Sequence, residues 1–312
     1  MPDFVVDMLS ALTGREVSRG ETDRGGRTVR WVETAGPGPT IVLEAGLGEP
    51  VPTWAPVFAG LSAIGRVLAY DRAGIGLSDP APEIDSAARL ADLAAVLADT
   101  KAGPCVLVAH SLGGIFAQIA AWQHPDQVAG LVLIDPSHED TLLHVPPELR
   151  EVQVAMMRKY LTMTAEKFVS DSRTSWEEGA AALSDDPKIR ELVIESWIAS
   201  FATRDRVQII FDEEKECDEY EPRARELRGI CPTLTIPMVV LSATNGIPAA
   251  IRAKFTELQA DVAAASGGEH VIVPDSGHYI HREKPQVVID AVQRTVERVR
   301  RAAIGDESPI LP

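Results

Sequence analysis

Short apolar runs separated by amphipathic stretches set the rhythm of this chain. Thr40–Leu43, Val67–Tyr70, Val106–Ala109, Leu131–Ile134, Met238–Leu241 and Val271–Val273 are nearly continuous in aliphatic residues, without the alternation of a strand that has one face in water. Such runs predict parallel strands covered on both faces. Between them, Asp85–Asp99 and Gln286–Arg300 place apolar residues at helical spacing, as Leu90, Leu93, Val96 and Leu97 do. Strands alternating with helices predict an α/β fold. Glu16–Ser18 and Thr28–Thr34 alternate more strongly and predict an antiparallel hairpin at the sheet edge. The apolar stretch Phe4–Leu12 carries Asp7 and has no basic leader, so it predicts a short packed helix rather than a secretion signal.

The strand rhythm stops after Ile134 and resumes at Met238. The intervening stretch is rich in Glu, Ala, Met and Leu, and Ile189, Leu192, Val193, Trp197 and Phe201 fall close to one helical face. This predicts a helical cap over residues 139–232, inserted into an α/β core made of 1–138 and 233–312. The charged segment Asp212–Glu216 is expected to be a solvated face of that cap. Trp176, Trp197, Phe201, Met156, Met157 and Met163 are expected to pack inside it, with the lining of an apolar cleft as the alternative.

Charge and cysteine content restrict the partners. A formal net charge of −16 over 312 residues repels phosphate backbones and anionic surfaces, so nucleic acid and membrane are not expected partners. No apolar stretch reaches the ~20 residues needed to span a bilayer. Cys105, Cys217 and Cys231 form an odd set without paired spacing, which points to a reducing, cytoplasmic setting and leaves a Cys217–Cys231 pair open. No metal-ligand, Walker or paired-cysteine motif occurs, so a metal or cofactor is not expected.

The chemistry concentrates at strand ends. In Pro104-Cys-Val-Leu-Val-Ala-His-Ser-Leu-Gly-Gly114 an apolar run breaks at Ser111 and restarts as a helix, the pattern of a nucleophile elbow with Ala109 at its first glycine position. The plainer use of Ser111 is as a helix N-cap. A serine nucleophile needs a base. His278 follows the last apolar run in Val273-Pro-Asp-Ser-Gly-His-Tyr-Ile-His281, where a loop can reach back over the sheet edge, and His281 competes for the role.

With these motifs the chain resembles the α/β-hydrolase fold family. Leu43-Glu-Ala-Gly-Leu-Gly-Glu49 is similar to its oxyanion loop, and Tyr70-Asp-Arg-Ala-Gly-Ile-Gly-Leu-Ser-Asp79 to its Asp-x-x-Gly-x-Gly-x-Ser loop. The resemblance implies a mostly parallel eight-stranded sheet flanked by helices, with an oxyanion hole from the Leu47 and Leu112 backbone N–H groups. The family's commonest acid position is absent, because Ser242-Ala-Thr-Asn-Gly-Ile-Pro248 holds no carboxylate. Asp135, at the end of the preceding run, is the preferred acid. Asp275 and Glu139 are weaker alternatives, and a further reading leaves Asp135 as a turn residue with Asn245 orienting the histidine. Gly46, Trp54, His110 and His138 are candidate substrate contacts.

These residues predict a serine hydrolase acting on a small-molecule ester or lactone through an acyl-enzyme. Carbon–carbon or amide hydrolysis, acyl transfer, and ligand binding without catalysis stay open.

Overall fold

The six apolar runs are the six strands β3 to β8 of one sheet, and the hairpin adds β1 and β2. The computed structural model describes residues 3–82, 85–231 and 233–305, without the side chains of residues 142 and 215–219. The strands are β1 (Val17–Asp23), β2 (Thr28–Thr34), β3 (Thr40–Glu44), β4 (Val67–Tyr70), β5 (Cys105–His110), β6 (Val128–Ile134), β7 (Met238–Ala243) and β8 (Glu269–Val273). Among the described residues they form an eight-stranded sheet in the order β1-β2-β4-β3-β5-β6-β7-β8. Pairing is antiparallel at β1–β2 and β2–β4 and parallel elsewhere.

The helices in chain order are α1 (Phe4–Thr13), α2 (Ala55–Ile64), α3 (Ser86–Thr100), α4 (Gly113–Gln123), α5 (Pro147–Met157), α6 (Ala165–Leu183), α7 (Pro187–Ser200), α8 (Arg204–Ile230), α9 (Ala249–Ala265), α10 (Ile280–Glu283) and α11 (Pro285–Ala303). Helices α1, α2 and α11 cover one face of the sheet and α3, α4 and α9 the other. Alternate residues of one strand feed opposite cores: Ile41, Leu43, Val106 and Val108 pack with α1, α2 and α11, whereas Val42, Cys105, Leu107 and Ala109 pack with α3, α4 and α9. This two-sided burial is why the central strands carry no polar alternation. Asp85 caps α3 by accepting the Ala88 N–H at 2.6 Å, which starts the helix where the amphipathic pattern begins.

Helices α5 to α8 fill the stretch between β6 and β7. Thr164, Asp186 and Thr203 cap α6, α7 and α8. Trp176, Trp197 and Phe201 stack against one another with centroids 5.8 to 6.3 Å apart, so these three rings are packing. Met156 departs from the expected packing: it is 60% exposed.

Two further sequence readings change here. Glu213 does not belong to a solvated face: it is fully buried against Arg72 and Arg89, because α8 crosses directly above the loop after β4. The Cys217 side chain lies outside the described residues, but Cys217 and Cys231 are 14 positions apart along α8 and its C-cap. At 1.5 Å per helical residue that is about 21 Å, far beyond the ~7 Å limit of a disulfide. No described helix is long and apolar enough to cross a membrane.

Candidate active site

The carboxyl ends of β3, β5 and β6 meet beneath α5 and α8, the place where open α/β sheets hold ligands. Strand β5 ends at His110 and delivers Ser111 in a left-handed conformation, φ +51°. That conformation is uncommon for a residue with a Cβ and is held by its surroundings. The Ser111 N–H donates to the Ile134 carbonyl at 3.0 Å, and its carbonyl accepts from the Ser137 N–H at 3.0 Å. Gly113 is required by close approach, since a Cβ there would stand 2.5 Å from the Ala45 carbonyl oxygen. Ala109 is accommodated at the elbow's first glycine position because its methyl packs in the apolar layer with α4.

Strand β6 delivers Asp135, also left-handed at φ +40°, with its N–H donating to the Leu241 carbonyl at 2.7 Å. His278 comes from the loop between β8 and α10. Its Nε2 lies 2.9 Å from Ser111 Oγ and its Nδ1 lies 2.7 Å from Asp135 Oδ2. The structure thus brings together the serine, histidine and aspartate singled out in the sequence.

Asp135 is buried among donors. Its Oδ1 accepts from Arg252 Nη1 at 2.8 Å, Gln259 Nε2 at 3.1 Å and the Ala243 N–H at 3.2 Å. Burial by itself would raise its pKa, but the hydrogen bond and charge of His278, with Arg252 behind them, hold it down to about 2. Asp135 is therefore ionised at neutral pH. The other acids go elsewhere: Glu139 pairs with Arg228, and Asp275 is exposed. Asn245 acts through its main chain, its N–H on the Ser276 carbonyl and its carbonyl on Arg252.

A cavity of about 440 Å³ opens over Ser111, a size suited to a small molecule. Leu47, Ser111, Leu112 and His278 line it from below, and Val145 and Met157 from the inserted segment. Among the described residues neither the Leu47 nor the Leu112 N–H donates to a protein acceptor.

The Glu44–Glu49 loop, the candidate oxyanion loop, is held by a charge network that sequence reading missed. Arg72 donates to the Ala45 and Gly46 carbonyls, both at 2.6 Å, to Glu44 Oε1 at 2.8 Å and to both oxygens of Glu213 at 2.9 Å. Glu213 in turn accepts the Gly48 N–H at 2.6 Å. Burial disfavours the Glu213 charge, yet Arg72 and Arg89 outweigh it and keep the carboxyl below its ordinary range. The only sequence signal was the Asp71-Arg72 motif, whose partner sits 141 residues away.

The remaining candidates divide. Trp54 is fully buried, 4.9 Å from the His281 ring, and belongs to the core under the site. His138 is 7% exposed and turns its Nδ1 to the Asp140 N–H at 3.0 Å, away from the cavity. Gly46 sits beneath the cavity, where a Cβ would come 2.5 Å from Glu49 and 2.6 Å from His110. His110 reaches the cavity wall and pairs with Glu49. His281 is fully buried, with Nε2 3.1 Å from Thr53 Oγ1, which leaves His278 as the histidine facing Ser111. Glu49, His110 and His281 bring ligating atoms within 4.8 Å of one another. Glu49 Oε2 and His110 Nδ1 stand 2.7 Å apart, at hydrogen-bond distance.

The profile of the Alpha/beta hydrolase family matches residues 41–291. The chain belongs to the alpha/beta hydrolase family. Among curated relatives, the putative carbamate hydrolase RutD of Variovorax paradoxus is 38% identical over 110 residues, covering 33% of this chain and 41% of that protein. The sn-1-specific diacylglycerol lipase ABHD11 of Mus musculus is 25% identical over 235 residues, 73% of this chain and 70% of that one. For most of the curated relatives the matched stretch spans less than half of the relative's own length. A solved structure described as Est816, an N-acyl homoserine lactone degrading enzyme, superposes with a TM-score of 0.62 at 20% identity, covering 89% of this chain and 100% of that one, which is a likeness of fold.

Proposed function

We propose that this α/β hydrolase is a serine hydrolase that cleaves a carboxylic ester or lactone of a small molecule. The observation that carries the reading is the continuous path Ser111 Oγ, His278 Nε2, His278 Nδ1, Asp135 Oδ2, with steps of 2.9 and 2.7 Å across the ring. Ser111 donates its proton to His278 as its oxygen attacks the carbonyl carbon. The imidazolium so formed faces an ionised Asp135, which fixes the tautomer and stabilises the charge. The tetrahedral oxygen lies against the Leu47 and Leu112 N–H groups, and losing one such donor typically costs ~100- to 1,000-fold. His278 then protonates the leaving alcohol. A water molecule, deprotonated by the same histidine, releases the acid and returns the proton to Ser111.

In this reading Asp135, after β6, is the carboxylate that such chemistry requires, and the loop 244–248 after β7 has none. The mostly apolar walls at Leu47, Ile115, Val145 and Met157 favour a neutral acyl or alkyl group. A diacylglycerol lipase and a putative carbamate hydrolase among the relatives support an activated carbonyl as the class of target.

The test is hydrolysis of a p-nitrophenyl ester series by wild type and Ser111→Ala, with labelling by a fluorophosphonate probe. Turnover that falls on the order of 10⁶-fold in the variant, with the label on Ser111 alone, supports the reading. A folded wild type that neither turns over the esters nor takes the label refutes it.

A further inference from the structure

We infer that Glu49 and His110 form a second carboxylate–imidazolium pair, behind the first, that positions His278 and works only while His110 carries both ring protons. His110 is 1% exposed. Its Nδ1 lies 2.7 Å from Glu49 Oε2 and its Nε2 lies 3.0 Å from the main-chain carbonyl of His278. An ionised carboxylate and a carbonyl can only accept, so both ring nitrogens must donate. Either neutral tautomer would set a nitrogen lone pair against an oxygen.

The surrounding hydrogen bonds are those of an ionised Glu49, which accepts at both oxygens. Its Oε2 also accepts the Gly46 N–H at 2.9 Å, and its Oε1 accepts from Thr53 Oγ1 at 2.9 Å. Because the Thr53 proton points to Glu49, the hydroxyl oxygen accepts from His281 Nε2 at 3.1 Å. His281 is then a neutral ring whose Nδ1 has no protein partner. The charged and titratable groups facing His110 are Glu49, His278 and His281 with ring centroids at 4.6 and 4.5 Å, and Tyr279 at 5.4 Å with Arg282 behind it. Glu49 is the only carboxylate among them. Burial opposes its charge, but His110 outweighs burial and holds its carboxyl well below the ordinary range.

One buried pair therefore joins three separate pieces of the site. Glu49 holds Gly46 in the oxyanion loop, His110 is the last residue of β5 before Ser111, and the far side of the ring holds the backbone of the base. Loss of the imidazolium releases the His278 carbonyl and lets the base drift from Ser111. His110 is thus a positioning residue, and its catalytic consequence rests on the serine hydrolase reading above.

The experiment is a long-range ¹H–¹⁵N spectrum of histidine-labelled full chain from about pH 6 to about pH 9, with His110→Gln for assignment. One histidine with both ring nitrogens protonated throughout, lost in His110→Gln, is expected. A neutral His110 tautomer in that range overturns the proposal. In Glu49→Gln the signal is expected to become that of a neutral ring, kcat for p-nitrophenyl acetate to fall about 10- to 100-fold with little change in KM, and Glu49→Asp to recover part of the loss. Unchanged kcat and pH profile in a folded Glu49→Gln also overturn it. A wild type inert toward esters refutes the hydrolase reading alone. The spectrum still decides the His110 charge, and unaltered His278 ring signals in Glu49→Gln would then overturn positioning.

Discussion

Arg252 Nη1 reaches both carboxylate oxygens of Asp135, at 2.8 and 3.1 Å, so the aspartate that faces His278 is shared with a buried guanidinium. The cation draws negative charge away from the histidine. In Arg252→Met, Asp135 should stabilise the His278 imidazolium more strongly and move the acid limb of the kcat/KM profile to higher pH. Breaking a buried pair costs about 3–5 kcal/mol, so the variant should also melt earlier. A pH–rate profile and a thermal melt on the same sample check both, and an unmoved acid limb would mean that Arg252 does not tune the site.

Asp135→Asn is expected to lower kcat about 10⁴-fold, as loss of a tautomer-fixing carboxylate does. Asn245→Ala should be mild by comparison, since Asn245 bonds through its main chain. The reverse order of the two effects in single-turnover kinetics would move the acid role away from β6.

The same carboxylate sets an acid limit on stability. A pKa held down to about 2 in the folded chain, against an ordinary 3.8, makes a stabilising contribution that is complete above about pH 4 and is lost as pH falls through about 2. The difference is worth about 2 kcal/mol. Urea unfolding between about pH 5 and pH 2 should therefore show a shallower pH dependence in Asp135→Asn than in wild type, by about that amount.

Glu213→Gln should act at the oxyanion loop without touching the cavity floor. It leaves Arg72 and Arg89 short of a carboxylate in a buried place, at a cost of about 3–5 kcal/mol. It also loosens Gly48, next to the Leu47 N–H. Calorimetry should report a lower Tm and kinetics a lower kcat at similar KM. A variant with wild-type Tm would show that α8 is not tied to the core through this residue.

Gly113→Ala tests the elbow's packing. The new methyl would meet the Ala45 and Glu44 carbonyl oxygens at 2.5 and 2.7 Å, both backbone atoms that cannot swing aside. Overpacking of this kind costs about 1–3 kcal/mol, and the displaced strand end carries the oxyanion loop, so stability and kcat should fall together. A denaturant titration paired with ester kinetics decides it.

What the sequence determined by itself were the features written in local chemistry. Runs such as Val106–Ala109 had to become strands because aliphatic residues on both faces can be satisfied only between two layers. Ser111 stood out as a candidate because a strand that breaks at Ser-Leu-Gly-Gly fits a nucleophile elbow as well as an N-cap, and His278 and Asp135 as candidates because they follow strand ends on the same edge of a parallel sheet. The tertiary structure decided whatever depends on partners distant along the chain. Asp212–Glu216 has the composition of a solvated face, and only the path of α8 over Arg72 makes Glu213 a buried anchor. Trp54 reads equally well as wall or core, and the packing of His281 beside it made it core. Arg252 on Asp135, and Glu49 on His110, are contacts across 117 and 61 residues. Periodicity reports which face of an element is apolar. A buried charge is stabilised by opposite charges and donors at short distance, and those distances exist only after the chain has folded.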